Sequence, residues 1–194
     1  MILKKANKKA IDYACKNFHY SKSVPTVQYA YNVYNNNNEW CGVILYGGGA
    51  NSNLCKNMNI CSGQFLELER VALNGKQEIT SKAVALSLKL LYKENPLCKL
   101  VVSYADTRQK HLGIIYQATN WIYLGKKYCG YEYFYNGKWM HDRSVGALKN
   151  RKEVKQKSPK RKKSDKFKYV YCFDKELREK YQEMALPYPT EKDL

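Results

Sequence analysis

The 194-residue sequence has no apolar run long enough to cross a membrane, and its first ten residues carry four lysines with no apolar stretch after them. A transmembrane helix needs roughly 18 or more apolar residues, so neither a membrane span nor a secretory signal is expected. The glycine motifs G-x-G-x-x-G and G-x-x-x-x-G-K-[ST] are also absent, which argues against a Rossmann site and a P-loop. The Asp-Pro-Pro-Tyr stretch of adenine methyltransferases is missing as well.

The seven cysteines include no C-x-x-C pair, and the three histidines, His19, His111 and His141, lie far from any cysteine pair in the sequence. A structural zinc site is therefore not expected. Without a secretory signal, reduced thiols are the simplest expectation. We therefore expect the protein in a cytoplasm, with no membrane partner.

Acidic side chains are scarce: 17 Asp and Glu face 34 Lys and Arg, a net charge of +17 that favours a polyanionic partner. Residues Lys149 to Lys168 hold eleven basic and two acidic side chains and are predicted to form an exposed, mobile arm. Such an arm can contact phosphates without selecting a sequence. A solvated linker or a localisation tract is the alternative. The predicted DNA contacts are Lys149, Arg151, Lys152, Lys160, Arg161, Lys162 and Lys163.

Hydrophobic periodicity predicts strands and helices in an order typical of a mixed α/β sheet flanked by helices. A nearly all-apolar strand, Leu100 to Tyr104, is expected to be buried on both faces. The other predicted strands are Val27 to Tyr34, Trp40 to Tyr46, Phe65 to Leu73, Trp121 to Leu124, Tyr131 to Trp139 and Tyr169 to Phe173. The predicted helices are Ala6 to Phe18, a segment capped by Thr80 or Ser81 that ends near Asn95, His111 to Thr119, and Lys175 to Met184.

Three groups of residues are candidates for catalysis or ligand binding. Asp106 follows the apolar strand, at the edge of the sheet where ligands bind in α/β folds, although it can equally cap the next helix. Strand alternation places Glu67 and Glu69 on one face and Arg70 on the other. Four tyrosines between positions 128 and 135 can pack a sheet face or stack on unpaired bases.

Several ordered segments resemble the phage Mom family of DNA-modification proteins. They are Phe65 to Leu73, Leu100 to Asp106 with its S-Y-A-D block, His111 to Gly125 with I-Y-Q-A-x-N-W-I-Y-x-G, Tyr169 to Arg178, and Leu186 to Pro189. The resemblance runs from His19 to Pro189. It implies a GNAT-like acyltransferase fold. It also implies an enzyme that places a carbamoylmethyl group on the exocyclic amine of adenine in phage DNA, which blocks host restriction.

The same resemblance suggests roles for individual residues. Its functional polar positions match Arg70, Ser81, Asp106 and Tyr116, and its iron-binding set matches His19, Tyr20 and Asp106. GNAT enzymes bind acetyl-CoA through a loop rich in glycine and basic residues, of which only Gly75 and Lys76 stand before Ser81 here. Iron and acetyl-CoA, or a related acyl donor, are thus the expected cofactors.

The expected domains are a GNAT-like catalytic core at 1–148, the basic arm at 149–168, and a C-terminal strand and helix at 169–194 that pack back on the core. The expected partner is double-stranded DNA in the cytoplasm of a bacterial host, with the target base flipped out of the helix. Two alternatives remain: a GNAT acyltransferase acting on a small amine or a protein, and a non-catalytic DNA-binding protein with this fold.

Overall fold

A mixed sheet of seven strands forms the centre of the protein, in a computed structural model that describes residues 1–49, 55 and 60–194. The spatial order is β1-β2-β3-β4-β5-β10-β6. Every neighbouring pair is antiparallel except β4 and β5, which are parallel and joined by a helical crossover. The strands are β1 (Ile2–Lys5), β2 (Tyr29–Tyr34), β3 (Trp40–Gly47), β4 (Phe65–Leu73), β5 (Leu100–Asp106), β6 (Ile122–Lys127) and β10 (Lys166–Cys172).

Helices cover both faces of this sheet. On one face, α1 (Lys8–Phe18) buries Ala14 and Cys15, and α6 (Lys175–Glu183) buries Tyr181. On the other face lie α2 (Thr80–Glu94) and the single turn α3 (Ile114–Gln117). A 2.6 Å hydrogen bond between the buried hydroxyl groups of Tyr46 and Ser87 joins β3 to α2.

A second, smaller sheet has the order β8-β7-β9 and consists of β7 (Tyr131–Tyr135), β8 (Lys138–His141) and β9 (Lys160–Lys162). Helices α4 (Asp142–Gly146) and α5 (Arg151–Lys157) cover one of its faces and pack Val145 and Val154 against Tyr133. We call residues 128–163 the basic sheet, because they hold eleven basic and three acidic side chains. They lie between β6 and β10 in the chain.

The predicted mixed α/β architecture is confirmed, and β4 has the predicted bounds. The buried strand β5 also exists but runs two residues further, to Asp106. The turn at Asn136 and Gly137, both with positive φ, splits the predicted strand Tyr131 to Trp139 into the hairpin β7–β8. Strand β1 had no counterpart among the predictions.

Two further expectations are wrong. Neither Thr80 nor Ser81 caps α2: its N-cap is Ile79, which offers no side-chain oxygen. The basic segment at 149–168, predicted as an exposed, mobile arm, instead forms α5, β9 and the first residues of β10. Val154, in the middle of this segment, is almost fully buried. Within the described residues, no helix combines the length and apolar content that a bilayer span requires.

Candidate active site

A cleft opens in the middle of the large sheet because its one parallel strand pair separates. Strands β4 and β5 are paired over only three positions, from Phe65 with Leu100 to Glu67 with Val102. Beyond these positions β4 continues to Leu73 and β5 to Asp106, but the two strands no longer pair with each other. A sheet that loses its ladder leaves space between the strands and backbone groups that need other partners.

The cleft has a volume of about 560 Å³ and reaches both faces of the sheet. Side chains from the α1 face and from the α2 face contribute to its walls. Those that bear on its chemistry are His19, Tyr20, Glu67, Glu69, Arg70, Thr80, Ser103, Tyr104, Lys110, His111, Tyr116 and Lys166. This mixture of cations, carboxylates and hydroxyl groups is typical of a binding site with a few placed polar groups.

The end of helix α1 brings two predicted residues to the cleft. His19, the C-cap of α1, accepts a hydrogen bond from the Ser21 backbone N–H at Nδ1, over 3.2 Å, so its proton is on Nε2. Burial, helped by nearby Arg70 and His111, lowers the His19 pKa from 6.5 to about 4. The imidazole is therefore neutral at physiological pH. The Tyr20 ring lies against His19 and, edge-on, 5.9 Å from His111.

A bulge in β4 turns Arg70 toward the cleft. Leu45 pairs with Arg70 but Tyr46 pairs with Leu68, so Glu69 is the extra residue. Because the bulge resets the alternation, Arg70 lies opposite Leu45 and Glu67 opposite Gly47, two residues along β3, so both are on the α1 face, which corrects the prediction of opposite faces. Burial raises the Glu69 pKa, and the neighbouring Arg70 opposes that shift.

The Arg70 guanidinium is held but not fully bonded. Its Nη1 donates to the Glu69 carbonyl at 2.6 Å, and its Nη2 lies 3.4 Å from the Ser23 hydroxyl. Within the described residues its buried Nε has no acceptor. An unsatisfied charged donor in a cleft is costly, and it marks where an acceptor oxygen of a ligand is best placed.

Ser103 links β5 to β4 just beyond the last paired residues of the two strands. Its hydroxyl donates to the Leu68 carbonyl across the gap, at 3.0 Å. The same hydroxyl is also placed to donate to the Tyr116 hydroxyl of α3, at 2.8 Å, so the single serine proton has two acceptors within reach. Burial raises the Tyr116 pKa to about 12, so the phenol is protonated at neutral pH. Ser103 was not predicted to have a role, although a serine within a run of apolar residues is a signal that the sequence offers.

Asp106 ends β5 as predicted, but its carboxylate already has partners. Oδ1 accepts from the Arg108 backbone N–H at 3.0 Å and from the Ser164 hydroxyl at 2.7 Å. Asp106 thus caps the short turn that follows β5 and ties it to the segment between β9 and β10. It is not among the residues that line the cleft, although its charge contributes to the raised pKa of Tyr20.

The iron set that the resemblance implies does not fit this arrangement. Among residues 1–49, 55 and 60–194, no three His, Cys, Asp or Glu side chains come together as a metal site needs. His19 and Tyr20 line the cleft together, whereas Asp106 is engaged by its two donors outside the lining.

The residues predicted to bind a cofactor lie between β4 and α2. Gly75 and Lys76 are exposed, and Gly75 has φ +86°, as a tight turn requires. Thr80, the first residue of α2, lines the cleft, but the half-buried Ser81 does not. Because the α2 N-cap has no side-chain acceptor, the backbone N–H groups of the first turn are open to an anion near Thr80.

The predicted DNA contacts are grouped on the basic sheet and are mostly exposed. Arg161 is paired with Glu132 at 2.8 Å, and Lys162 with Asp165 at 3.2 Å. Lys163 is half-buried, and desolvation, followed by nearby Lys166, lowers its pKa. The remaining members, Lys149, Arg151, Lys152 and Lys160, are exposed.

Solved structures place the fold among GNAT acetyltransferases. A chimera of the Vibrio cholerae spermidine N-acetyltransferase aligns with a TM-score of 0.53 at 8% identity, over 94% of this chain and 99% of its own. A Chromobacterium violaceum protein assigned to the GNAT family gives 0.50 at 12% identity, over 88% and 81%. Arabidopsis thaliana NAA60 in complex with acetyl-CoA gives 0.50 at 10%, over 89% and 98%. At such identities the likeness concerns the fold.

Comparison with known sequences identifies the protein family. The methylcarbamoylase Mom of Escherichia phage Mu is 26% identical over 135 residues, which are 68% of this chain and 56% of that protein. The chain therefore spans just over half the length of this relative. The Mom protein family matches residues 1–190, nearly the whole sequence. The chain, with its GNAT-like sheet and its central cleft, belongs to the Mom protein family.

Proposed function

We propose that this protein is a transferase that modifies DNA by placing a carbamoylmethyl group on the exocyclic amine of adenine, and so protects phage DNA from restriction in the host cytoplasm. The observation that carries the proposal is the cleft between β4 and β5 with His19, Arg70 and Tyr116 on its walls. Membership of the Mom family and the methylcarbamoylase relative supply the type of reaction.

DNA as the substrate is supported by charge. The chain carries +17, and the 36 residues of the basic sheet contribute +8 of it. The segment that follows the basic sheet reaches the cleft, since Lys166 is among the residues that line it. An adenine amine is paired inside duplex DNA, so the base has to flip out to reach such a cleft.

The cleft residues suit a nucleophilic displacement by the adenine amine. Arg70 offers its unpartnered Nε to an oxygen of the donor, and Tyr116, protonated at neutral pH, can give a proton to a leaving group. Asp106 is the proposed acceptor of the amine proton; it lies outside the cleft lining, where its charge adds to burial in raising the Tyr20 pKa. Neutral His19 helps to hold the base.

The donor is the open part of the chemistry. Acetyl-CoA is bound by the structural neighbour from Arabidopsis thaliana, and here the start of α2, with Thr80 and the nearby Ser81, Gly75 and Lys76, is the proposed place for an acyl donor's phosphates. Acyl transfer to an amine gives an amide, however, whereas the carbamoylmethyl product joins a methylene carbon to nitrogen. The donor must therefore present an activated methylene, directly or after a further step.

Replacement of Asp106 by Asn tests the proposal in cells that express the protein. Asn can still accept the hydrogen bonds from Arg108 and Ser164, so the fold and DNA binding should be retained, but it is a poor base. We expect mass analysis of nucleosides to show modified adenine with the parent and at least about a hundredfold less with the variant. DNA that carries no modified adenine even with the parent contradicts the proposed function. Equal modification by both proteins reduces Asp106 to a cap.

A further inference from the structure

One face of the basic sheet carries exposed aromatic rings that the function proposed above does not yet use. Register pairs Phe134 with Trp139 and Glu132 with Arg161, and alternation puts all four on the face opposite Tyr133. Helices α4 and α5 pack against Tyr133, and the other face leaves Phe134 41% and Trp139 38% exposed. Large aromatic side chains left exposed side by side commonly mark a binding surface.

The rings and the guanidinium form one layered arrangement. Phe134 and Trp139 contact each other edge to face, with centroids 5.4 Å apart, and the Arg161 guanidinium lies 4.3 Å from the Trp139 ring centroid. Glu132 Oε2 accepts a hydrogen bond from Arg161 Nε at 2.8 Å and forms an ion pair with Nη2, also at 2.8 Å. The carboxylate thus fixes the plane of the guanidinium over the indole, which lowers the entropy cost of presenting it to a ligand.

The charges around these rings suit a nucleotide. Arg161 supplies the positive charge on this face, while its β9 neighbours Lys160 and Lys162 alternate to the opposite face, each 5.2 Å from the centroid of a tyrosine ring, Tyr131 or Tyr128. Unpaired nucleotides combine flat apolar bases with phosphates, and proteins bind them with aromatic side chains, arginine planes and cations. An acidic or purely apolar partner would meet only half of these groups.

The surface is also close to the cleft along the chain. Arg161 and the cleft residue Lys166 are five residues apart, a separation of at most about 17 Å for extended backbone. The intervening segment is fixed: Ser164 donates to Asp106, and the Thr107 hydroxyl donates to the Asp165 carbonyl at 2.8 Å. We therefore expect a DNA strand that binds to the basic sheet to continue toward the cleft.

We propose that Phe134, Trp139 and Arg161 form a stacking platform for an unpaired base that flanks the base entering the cleft. The inference rests on DNA being the substrate. Flipping one base disrupts its neighbours, and a protein surface that stacks on an exposed neighbour offsets part of that loss. The platform recognises an aromatic face without hydrogen-bond selection, so it tolerates any base at that position.

The test compares two 12-nucleotide single strands with the same number of phosphates, one of mixed sequence and one fully abasic, by fluorescence anisotropy with the full-length protein. We expect the parent to bind the base-containing strand about tenfold more tightly, a factor within the range of one base–aromatic stack. The double variant Phe134→Leu/Trp139→Leu should bind both strands with the affinity that the parent shows for the abasic strand. Its dependence on salt should match that of the parent, because the variant keeps every charge.

Two further variants keep the test decisive. Arg161→Lys retains the charge and removes the planar group, and should lose part of the preference for bases with an unchanged salt slope. Tyr92→Leu is the matched control: Tyr92 is 46% exposed and stacks on Phe173 at the far end of α2, so its loss should change nothing. An unchanged base preference in both platform variants overturns the inference, as does a change in the protein's oligomeric state with leucine at 134 and 139.

The two proposals fail in different ways. A parent protein that binds neither strand and leaves cellular adenine unmodified contradicts the proposed function as a whole. A parent that modifies adenine but binds the two strands equally contradicts the platform alone. Loss of base preference in the double variant, with the abasic strand bound as before, supports the platform.

Discussion

The cleft and the basic sheet use the same kinds of side chain in opposite settings. In the cleft, Arg70 and Tyr116 are largely or fully buried, and each is oriented by a neighbour, Glu69 or Ser103. On the basic sheet, Arg161 and Trp139 are exposed and contact each other. Burial fixes protonation and geometry, which chemistry needs, while exposure leaves charge and ring faces available to a large partner.

Net charge separates the two regions as well. The basic sheet has eleven basic and three acidic residues among 36, while the other 158 residues have 23 and 14. Per residue, the excess of positive charge on the basic sheet is therefore about fourfold higher. Such a density attracts polyanions over the distance that salt permits, about 8–10 Å at physiological ionic strength.

The largest effect that separates the two regions is expected from Tyr116→Phe. The variant loses the proton that Tyr116 can donate, while Ser103 keeps its bond to Leu68, and we expect adenine modification to fall about a hundredfold. DNA affinity should stay the same, since the basic sheet is untouched. Modification is measured by nucleoside mass analysis and affinity by anisotropy.

Tyr46→Phe is the matched control for this change. Tyr46 is also a buried tyrosine bonded to a serine, Ser87, but it lies away from the cleft lining. Both variants should lose about 1 kcal/mol of unfolding free energy, the usual value of a buried hydrogen bond. Equal activity in the two variants would show that Tyr116 serves packing only.

A smaller effect, on binding alone, is expected when Arg161, Lys162 and Lys163 are changed to Gln together. Affinity should decrease for all sequences alike, by about tenfold at moderate salt. The slope of log affinity against log salt should flatten by about 0.9 for each phosphate of duplex DNA that the variant no longer neutralises. Titrations at three salt concentrations measure the slope.

A variant that loses three positive charges from α1 is the matched control for this experiment. Lys8, Lys9 and Lys16 are exposed lysines on α1, and their triple Gln variant should alter the slope little if DNA binds to the basic sheet. If the two triple variants behave alike, net charge matters and its location does not.

The smallest effect concerns stability and pH. The His19 pKa is about 4 in the folded protein against 6.5 for a free histidine, so the unfolded chain takes up the proton first as the pH falls. The stabilisation linked to neutral His19 is thus complete above about pH 6.5 and is lost progressively toward pH 4. In urea unfolding at pH 7.5, 6 and 5, His19→Gln should lose less stability on acidification than the parent. Parallel pH dependences contradict this.

The sequence predicted the elements whose pattern is local and strong. Strand β4 is a nine-residue run between turn residues, and β5 is an apolar run after Pro96, so both were recognised. Strand β1 was not predicted, because four residues at the edge of a sheet show little periodicity and depend on their pairing with β2. The hairpin of the basic sheet was hidden by aromatic residues on both sides of the Asn136–Gly137 turn, such as Tyr135 and Trp139.

The site was predictable in its residues more than in its geometry. Of the residues that the family resemblance indicated, His19, Tyr20, Arg70 and Tyr116 line one cleft, whereas Ser81 and Asp106 do not. The bulge at Glu69 is set by the register between β3 and β4, which no local pattern encodes, and it is this bulge that brings Arg70 to the cleft. The role of Ser103 depends on where β4 and β5 separate, which is also a property of the assembled sheet.

The position of the basic sheet in the chain has a consequence for how such a protein can be assembled from parts. Lys127, the last residue of β6, is the register partner of Lys166, the first residue of β10, so residues 128–165 form one 38-residue excursion from an antiparallel hairpin. Closing a loop of this length instead of a two-residue turn takes about four doublings, or roughly 2.5 kcal/mol of chain entropy. Burial of Val145 and Val154, at about 1.5–3 kcal/mol each, is enough to offset it. A separate folded unit can thus be added to a GNAT-like sheet at the tip of a hairpin.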